Sequence, residues 1–162
     1  MLMDAQVERI CRYIADDIVE LARKVMESPV GVNEKTGANT LVDSELYRKI
    51  GTDFRDEGEG VVIETLFNHY IEYIERDRPP MYGKRPPIDA IVKWLRTKHI
   101  VSSNENIRSV AYLISRAIWR DGHKGRRIME TLGNKVDERF DYLYADRIFD
   151  FLTEELDRYF KD

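Results

Sequence analysis

Near the N-terminus, Val7, Ile10, Cys11, Ile14, Ile18, Leu21, Ala22 and Val25 recur at three- and four-residue steps. That spacing places them on one stripe of a helix over about residues 4–27, and an apolar stripe of this width has to be buried. Asp4 is the expected N-cap. Ser28-Pro29 is the expected stop, because the residue ahead of a proline avoids helical angles. Whatever follows in the chain must therefore cover one face of a long amphipathic helix.

The next stretch holds Gly31, Asn33, Gly37 and Asn39, and reads as a flexible loop over residues 31–40. Asp43 is expected to cap a short helical turn carrying Leu46 and Ile50. A strand is predicted at Thr52-Asp53-Phe54-Arg55 and a turn at Glu57-Gly58-Glu59-Gly60. The clearest strand is Val61-Val62-Ile63-Glu64-Thr65-Leu66-Phe67, rich in β-branched residues. Tyr70-Ile71-Glu72-Tyr73-Ile74-Glu75 has a similar content and reads as a third strand rather than a helical turn.

Pro79-Pro80, Gly83 and Pro86-Pro87 punctuate the chain before the next helix. It is expected to open near Pro87, since the proline's missing N–H has no helical partner at the first position. Ile88, Ile91, Val92 and Leu95 point inward, Lys93 and Arg96 outward, with Trp94 at the core edge. Ser102-Ser103-Asn104 offer caps for a second helix, with Glu105 in its first turn. Ile107, Val110, Ala111, Ile114, Ala117 and Ile118 form its stripe, and Gly122 is placed as a left-handed C-cap. A basic loop follows. A final helix over about residues 135–161 carries Val136, Phe140, Leu143, Tyr144, Ile148, Phe151, Leu152 and Tyr159. Its length of about 39 Å exceeds what a small domain covers, so part of it is expected to meet a neighbour.

These elements predict an α+β fold: a small antiparallel sheet packed against about four helices, with a long C-terminal helix. The length of 162 residues suits a single domain spanning 1–162. Charged residues are 35% of the chain, against about 25% in an average domain, so a heavily solvated surface is expected. Residues 76–127 hold 13 Lys or Arg against 4 Asp or Glu, a net of +9, while the remainder carries −13. A chain divided in this way can meet a copy of itself head to tail. Cys11 is the only cysteine, which excludes an internal disulfide and a cysteine zinc site, and its place on the apolar stripe makes it a buried thiol. No apolar run reaches the roughly 20 residues of a membrane span, and Met1-Leu2-Met3-Asp4 lacks the layout of a signal peptide. Synthesis in a reducing cytosol is the expectation.

Catalytic and metal-binding patterns are weak. His69, His99 and His123 stand in no ligand-like spacing, so no metal is expected. The carboxylate pairs Asp16-Asp17, Asp53 with Asp56, and Glu154-Glu155 read as solvated charge, not as a general acid and base held in a cleft. A small hydrolase has no support beyond them. Ser102-Ser103 lacks a nucleophile motif, and the glycines fit no phosphate loop. No cofactor and no enzymatic reaction are predicted. The densest basic cluster is Arg116, Arg120, His123, Lys124, Arg126 and Arg127, near Trp119. Such a cluster either touches phosphates or complements a helix C-terminus.

The order of four short motifs resembles the neck or tail-completion (head–tail joining) proteins of tailed bacteriophages. The first is Val42-Asp43-Ser44-Glu45-Leu46-Tyr47-Arg48-Lys49-Ile50, followed after the strand pair by Tyr70 and Tyr73. The third is a proline-pair helix matched by Pro86, Pro87, Ile91, Trp94, Leu95, Lys98 and Ile100, and the last is a helix matched by Ala111, Ile114, Ile118 and Gly122. The chain departs from the family pattern at Glu45 and His99, where glycine is usual, at Arg127-Ile128, and in its longer C-terminal helix. The resemblance implies a structural virion protein of the neck or tail region, made in the host cytoplasm. It would form a homo-oligomeric connector or tail-completion ring against portal and tail proteins, close to packaged DNA and away from membranes. On that reading the assembly interface is assigned to Arg116, Arg120, Lys124, Arg126, Arg127, Tyr144 and Phe151. The alternative is a nucleic-acid-binding module that uses the same basic cluster.

Overall fold

A computed structural model describes residues 5–58, 60–69, 71–100 and 106–161. The order is α1 (Ala5–Glu27), a 3₁₀ turn at Pro29–Gly31, α2 (Glu45–Arg48), β1 (Gly51–Asp56), β2 (Val61–Leu66) and α3 (Ile71–Glu75). Then come α4 (Ile88–Thr97), α5 (Ile107–Asp121), α6 (Ile128–Arg139), a π-helical turn at Phe140–Tyr144 and α7 (Ala145–Lys161). The fold is α+β, with a two-stranded antiparallel sheet packed on helices and a long C-terminal helix. The chain forms two compact units: Met1–Glu75 with Arg126–Asp162, and the inserted Arg76–Gly125.

In the larger unit the α1 stripe is shared between two clusters. Leu21, Ala22, Val25 and Met26 pack with Leu41, Leu46, Ile50, Ile71, Ile74, Ile128 and Leu132. Ile14 and Ile18 pack instead on Tyr144, with Ile10 and Ile148 alongside. The pairing of late α1 with early α6, and of early α1 with Ile148, makes the two helical runs antiparallel. Cys11 lies buried on the same stripe, and burial pushes its thiol pKa up. The hairpin pairs Gly51 with Leu66 and Asp56 with Val61 and lies against α1. Neither strand holds a fully buried residue, so the sheet covers the core rather than forming it.

Several local expectations change. Residues 71–75 are a helical turn, not a third strand, because Ile71 and Ile74, three apart, are both buried on the same side. The cap of α2 is Ser44, whose hydroxyl accepts from Tyr47 N at 3.2 Å, while Asp43 sits at φ 61. The expected caps Asp4 and Ser102-Ser103-Asn104, like Glu105 and Tyr70, lie outside the described residues; Asn106 caps α5 through Ser109 N. Residues 31–40 are tied at their base by a Val32–Asn39 bridge and by Asn39 Nδ2 donating to Met26 O at 2.6 Å. The final helical run begins at Ile128, seven residues earlier than its periodicity suggested.

That early start has a long-range cause. Arg127, at the N-cap position of α6, is left-handed and makes no side-chain cap. Glu75 takes the role from across the unit, its two oxygens accepting from Met129 N at 2.8 Å and Glu130 N at 3.1 Å. A carboxylate on two orphan N–H groups at a helix start gains from both hydrogen bonding and the dipole.

In the inserted unit, α4 and α5 pack through Ile91, Val92, Leu95 and Ala111. The proline-rich lead-in lies along α5 as a strap. Ser115 Oγ donates to Pro86 O at 2.7 Å, Trp119 Nε1 to Gly83 O at 2.9 Å, and Met81 N to Trp119 O at 2.7 Å. The two ends of the unit are stitched by the Arg78–His123 bridge and by Gly125 N donating to Asp77 Oδ1 at 2.7 Å. Gly122 permits this. It has φ 62 and ψ −168, a glycine-only conformation, and a Cβ would stand 2.2 Å from Arg78 O.

Glu75→Ala should lower stability by about 1–2 kcal/mol, the range for losing a helix cap, read as a shift in the urea midpoint. Gly122→Ala should destabilise by about 2 kcal/mol or more from backbone strain and the clash with Arg78 O. Amide exchange of α4 and α5 no faster than in the parent chain would rule out that second effect.

Candidate interaction surfaces

The assigned interface residues separate once their surroundings are seen. Tyr144 is 1% exposed and belongs to the core, which corrects its assignment to a surface. The reason is the π turn. In a regular helix each four-residue step overshoots one turn by about 40°, which carries the stripe through Leu132 and Val136 away from α1. The i→i+5 bond from Ala145 N to Phe140 O absorbs one extra residue, so Tyr144 comes round under Ile14 and Ile18. Its hydroxyl donates to Asp17 Oδ2 at 2.5 Å, and Arg139 Nη1 lies 3.5 Å from Asp17 Oδ1. Burial first, then the Asp17 bond and charge, push the Tyr144 pKa well above the usual phenol range, with Arg139 opposing.

Arg126 is also an internal anchor. Its backbone N donates to Ile74 O at 2.8 Å, and its guanidinium reaches Gly31 O and Thr40 Oγ1, each at 3.1 Å. Arg127 is exposed on the larger unit, 4.0 Å from Glu130, and Phe151 is half-buried. Arg116, Arg120 and Lys124 are exposed on the inserted unit.

Two surfaces remain, one on each unit. On the larger unit, α7 buries no residue completely. Phe149, Leu152, Leu156, Tyr159 and Phe160 share one face and are 51–80% exposed. Along one border of this face run Asp146, Asp150 and Asp157, at near-helical spacing. Lys161 reaches Asp157 at 3.7 Å. Ile148 packs on Tyr144, Ile14 and Ile18, and Ala145 and Phe151 are half-buried.

The inserted unit holds 11 Lys or Arg against 4 Asp or Glu, a net of +7, which leaves −11 for the larger unit. The outer face of α5 carries Leu113, 61% exposed, with Arg116 and Arg120 one and two turns on. Arg108, also on α5, is held by Asp89 at 2.9 Å, and Arg120 by Asp121 at 2.7 Å. Beside them, the Arg85 guanidinium stacks 5.1 Å from the Trp119 ring and 6.0 Å from Tyr112. Sequence reasoning named Arg116 and Arg120 but missed Leu113 and the Arg85 stack, which exists because the strap folds back on α5.

Among the described residues no group of three or more His, Cys, Asp or Glu is placed to hold a metal, and no helix is long and apolar enough to cross a membrane. Comparison with protein-family models, with curated proteins and with solved structures finds no match to the chain.

Tyr144→Phe should lower stability by about 1–2 kcal/mol at pH 7, since it strips the partly buried Asp17 of a hydrogen bond. Unfolded tyrosine releases its proton from about pH 10, while the folded phenol keeps it. The stabilisation is therefore complete below pH 10 and lost above it, so the difference between parent and variant should narrow as pH rises past 10. Urea titrations at pH 8 and pH 11 measure both; a gap that widens would exclude this account.

Proposed function

We propose that this chain is a non-enzymatic assembly protein, a structural component of a tailed-phage neck or tail-completion ring that joins copies of itself to portal and tail proteins. The observation that supports it most is α7. It exposes three aromatics and two leucines on one face while completely burying none of its side chains. The aromatics expose 69–80% of their surface. At roughly 150–250 Å² per aromatic side chain, they place about 350–550 Å² of apolar surface in water, a size at which monomer patches are usually functional. The resemblance of residues 42–50, 86–100 and 111–122 to head–tail joining proteins supplies the kind of assembly, and virion localisation follows from it.

The charge of the inserted unit favours a second reading, a nucleic-acid-binding module. Phosphate contacts give a steep salt dependence, so a gel shift on duplex DNA between 50 and 200 mM salt separates the two. Native mass spectrometry of the purified chain, alone and with portal protein, tests the first. Multiples of the 19.1 kDa chain mass and a complex with portal are expected. A lone 19.1 kDa species at every concentration, indifferent to portal protein, would refute it.

A further inference from the structure

We infer that the acid-bordered apolar face of α7 docks on the outer face of α5 in a second copy of this chain, a head-to-tail contact that rests on the assembly reading above. The partner is selected by charge. Asp146, Asp150 and Asp157 span 11 residues, about 16 Å along α7. Arg116 and Arg120 stand one and two turns from Leu113 on the outer face of α5. The two sets oppose in sign, and each borders exposed apolar surface: Leu152 and Leu156 on one side, Leu113 on the other.

The other occupants of α7 fit worse. A membrane surface attracts amphipathic helices whose polar border is Lys and Arg, and this border is acidic. A nucleic acid is repelled for the same reason. A second α7 laid antiparallel on the first, with Leu152 against Leu156, would bring Asp150 opposite Asp157, like charges at close range. The inserted unit is the oppositely charged half of the same molecule, so every copy carries both sides of the contact. Such a contact is heterologous and extends by repetition until it closes. The apolar area on α7 falls short of the roughly 800 Å² per partner that stable interfaces bury, so the charged borders lie within the contact and not outside it.

The test uses two full-length variants. Leu152→Glu with Leu156→Glu removes the α7 face at exposed positions; Arg116→Glu with Arg120→Glu removes the α5 face. Each alone should run at one chain mass by light scattering, where the parent forms multiples. Mixed in equal amounts, they should form a species of two chain masses and nothing larger, because one intact face remains on each. The heterodimer requires both variants to be folded, so its appearance also answers the concern that the substitutions unfold the chain. A third variant, Asp146→Arg, Asp150→Arg and Asp157→Arg combined with Arg116→Glu and Arg120→Glu, should regain multiples. Self-association of the α5-face variant alone would assign the contact to paired α7 helices and overturn the inference, as would a mixture that stays at one chain mass. A parent that assembles while both variants also assemble leaves the assembly reading standing without this contact. A parent that stays monomeric overturns both.

Discussion

The stripe on α1 organises the larger unit, and its length sets the limit of that unit's core. At 23 residues α1 is about 35 Å long, while the run of 12, 5 and 17 residues from α6 through the π turn to α7 is about 50 Å. Laid antiparallel from their shared end at Met26 and Ile128, the two cannot match. The first part of the longer run finds Leu21, Val25, Ile18 and Ile14. The last part finds nothing on its own unit, yet it keeps its aromatics. The exposed face of α7 follows from the difference between two helix lengths.

Holding the two runs together depends on polar contacts placed at the points where packing alone would drift. The π turn and the Tyr144–Asp17–Arg139 group keep the register at the middle. Glu75 fixes the start of α6, and Arg126 clamps residues 31 and 40 to the end of α3. None of these contacts lies close in sequence. The Asp17–Tyr144 and Arg126–Gly31 bonds are partly buried, where losing a partner costs most, and the others fix helix and chain ends.

This distribution explains what could be read in the sequence. α1, α4 and α5 announce themselves through their period, and β2 through its β-branched run, because in each case local residues decide the outcome. Ile71, Tyr73 and Ile74 satisfy a strand and a helical turn equally in so short a window; burial under α1 decides between them. The first turns of α6 contain Gly133 and Asn134, poor helix formers, and their cap is 53 residues upstream of Ile128, so no local signal marks the start. The division into two units depends on pairs such as Arg78 with His123, which a linear reading does not show. Among the surface residues, Arg116 and Arg120 were legible as exposed charge on a helix. Tyr144 was not separable from Tyr159 by type or spacing; what α1 reaches decides which of them is covered.

The short sequence motifs include many residues that build the fold: Leu46, Ile50, Ile91, Leu95 and Ala111 are all buried. The exposed faces of α7 and α5 lie mostly on other positions. The backbone contact between Ile74 O and Arg126 N bears on how such a chain could have been built. The exit and return points of the insertion are already neighbours within the larger unit, so that unit's chain path would close with a tight turn if residues 76–125 were absent. A segment attached in this manner can be gained, lost or traded between genes without rethreading its host, leaving recognition to diversify on one module while the other conserves its architecture.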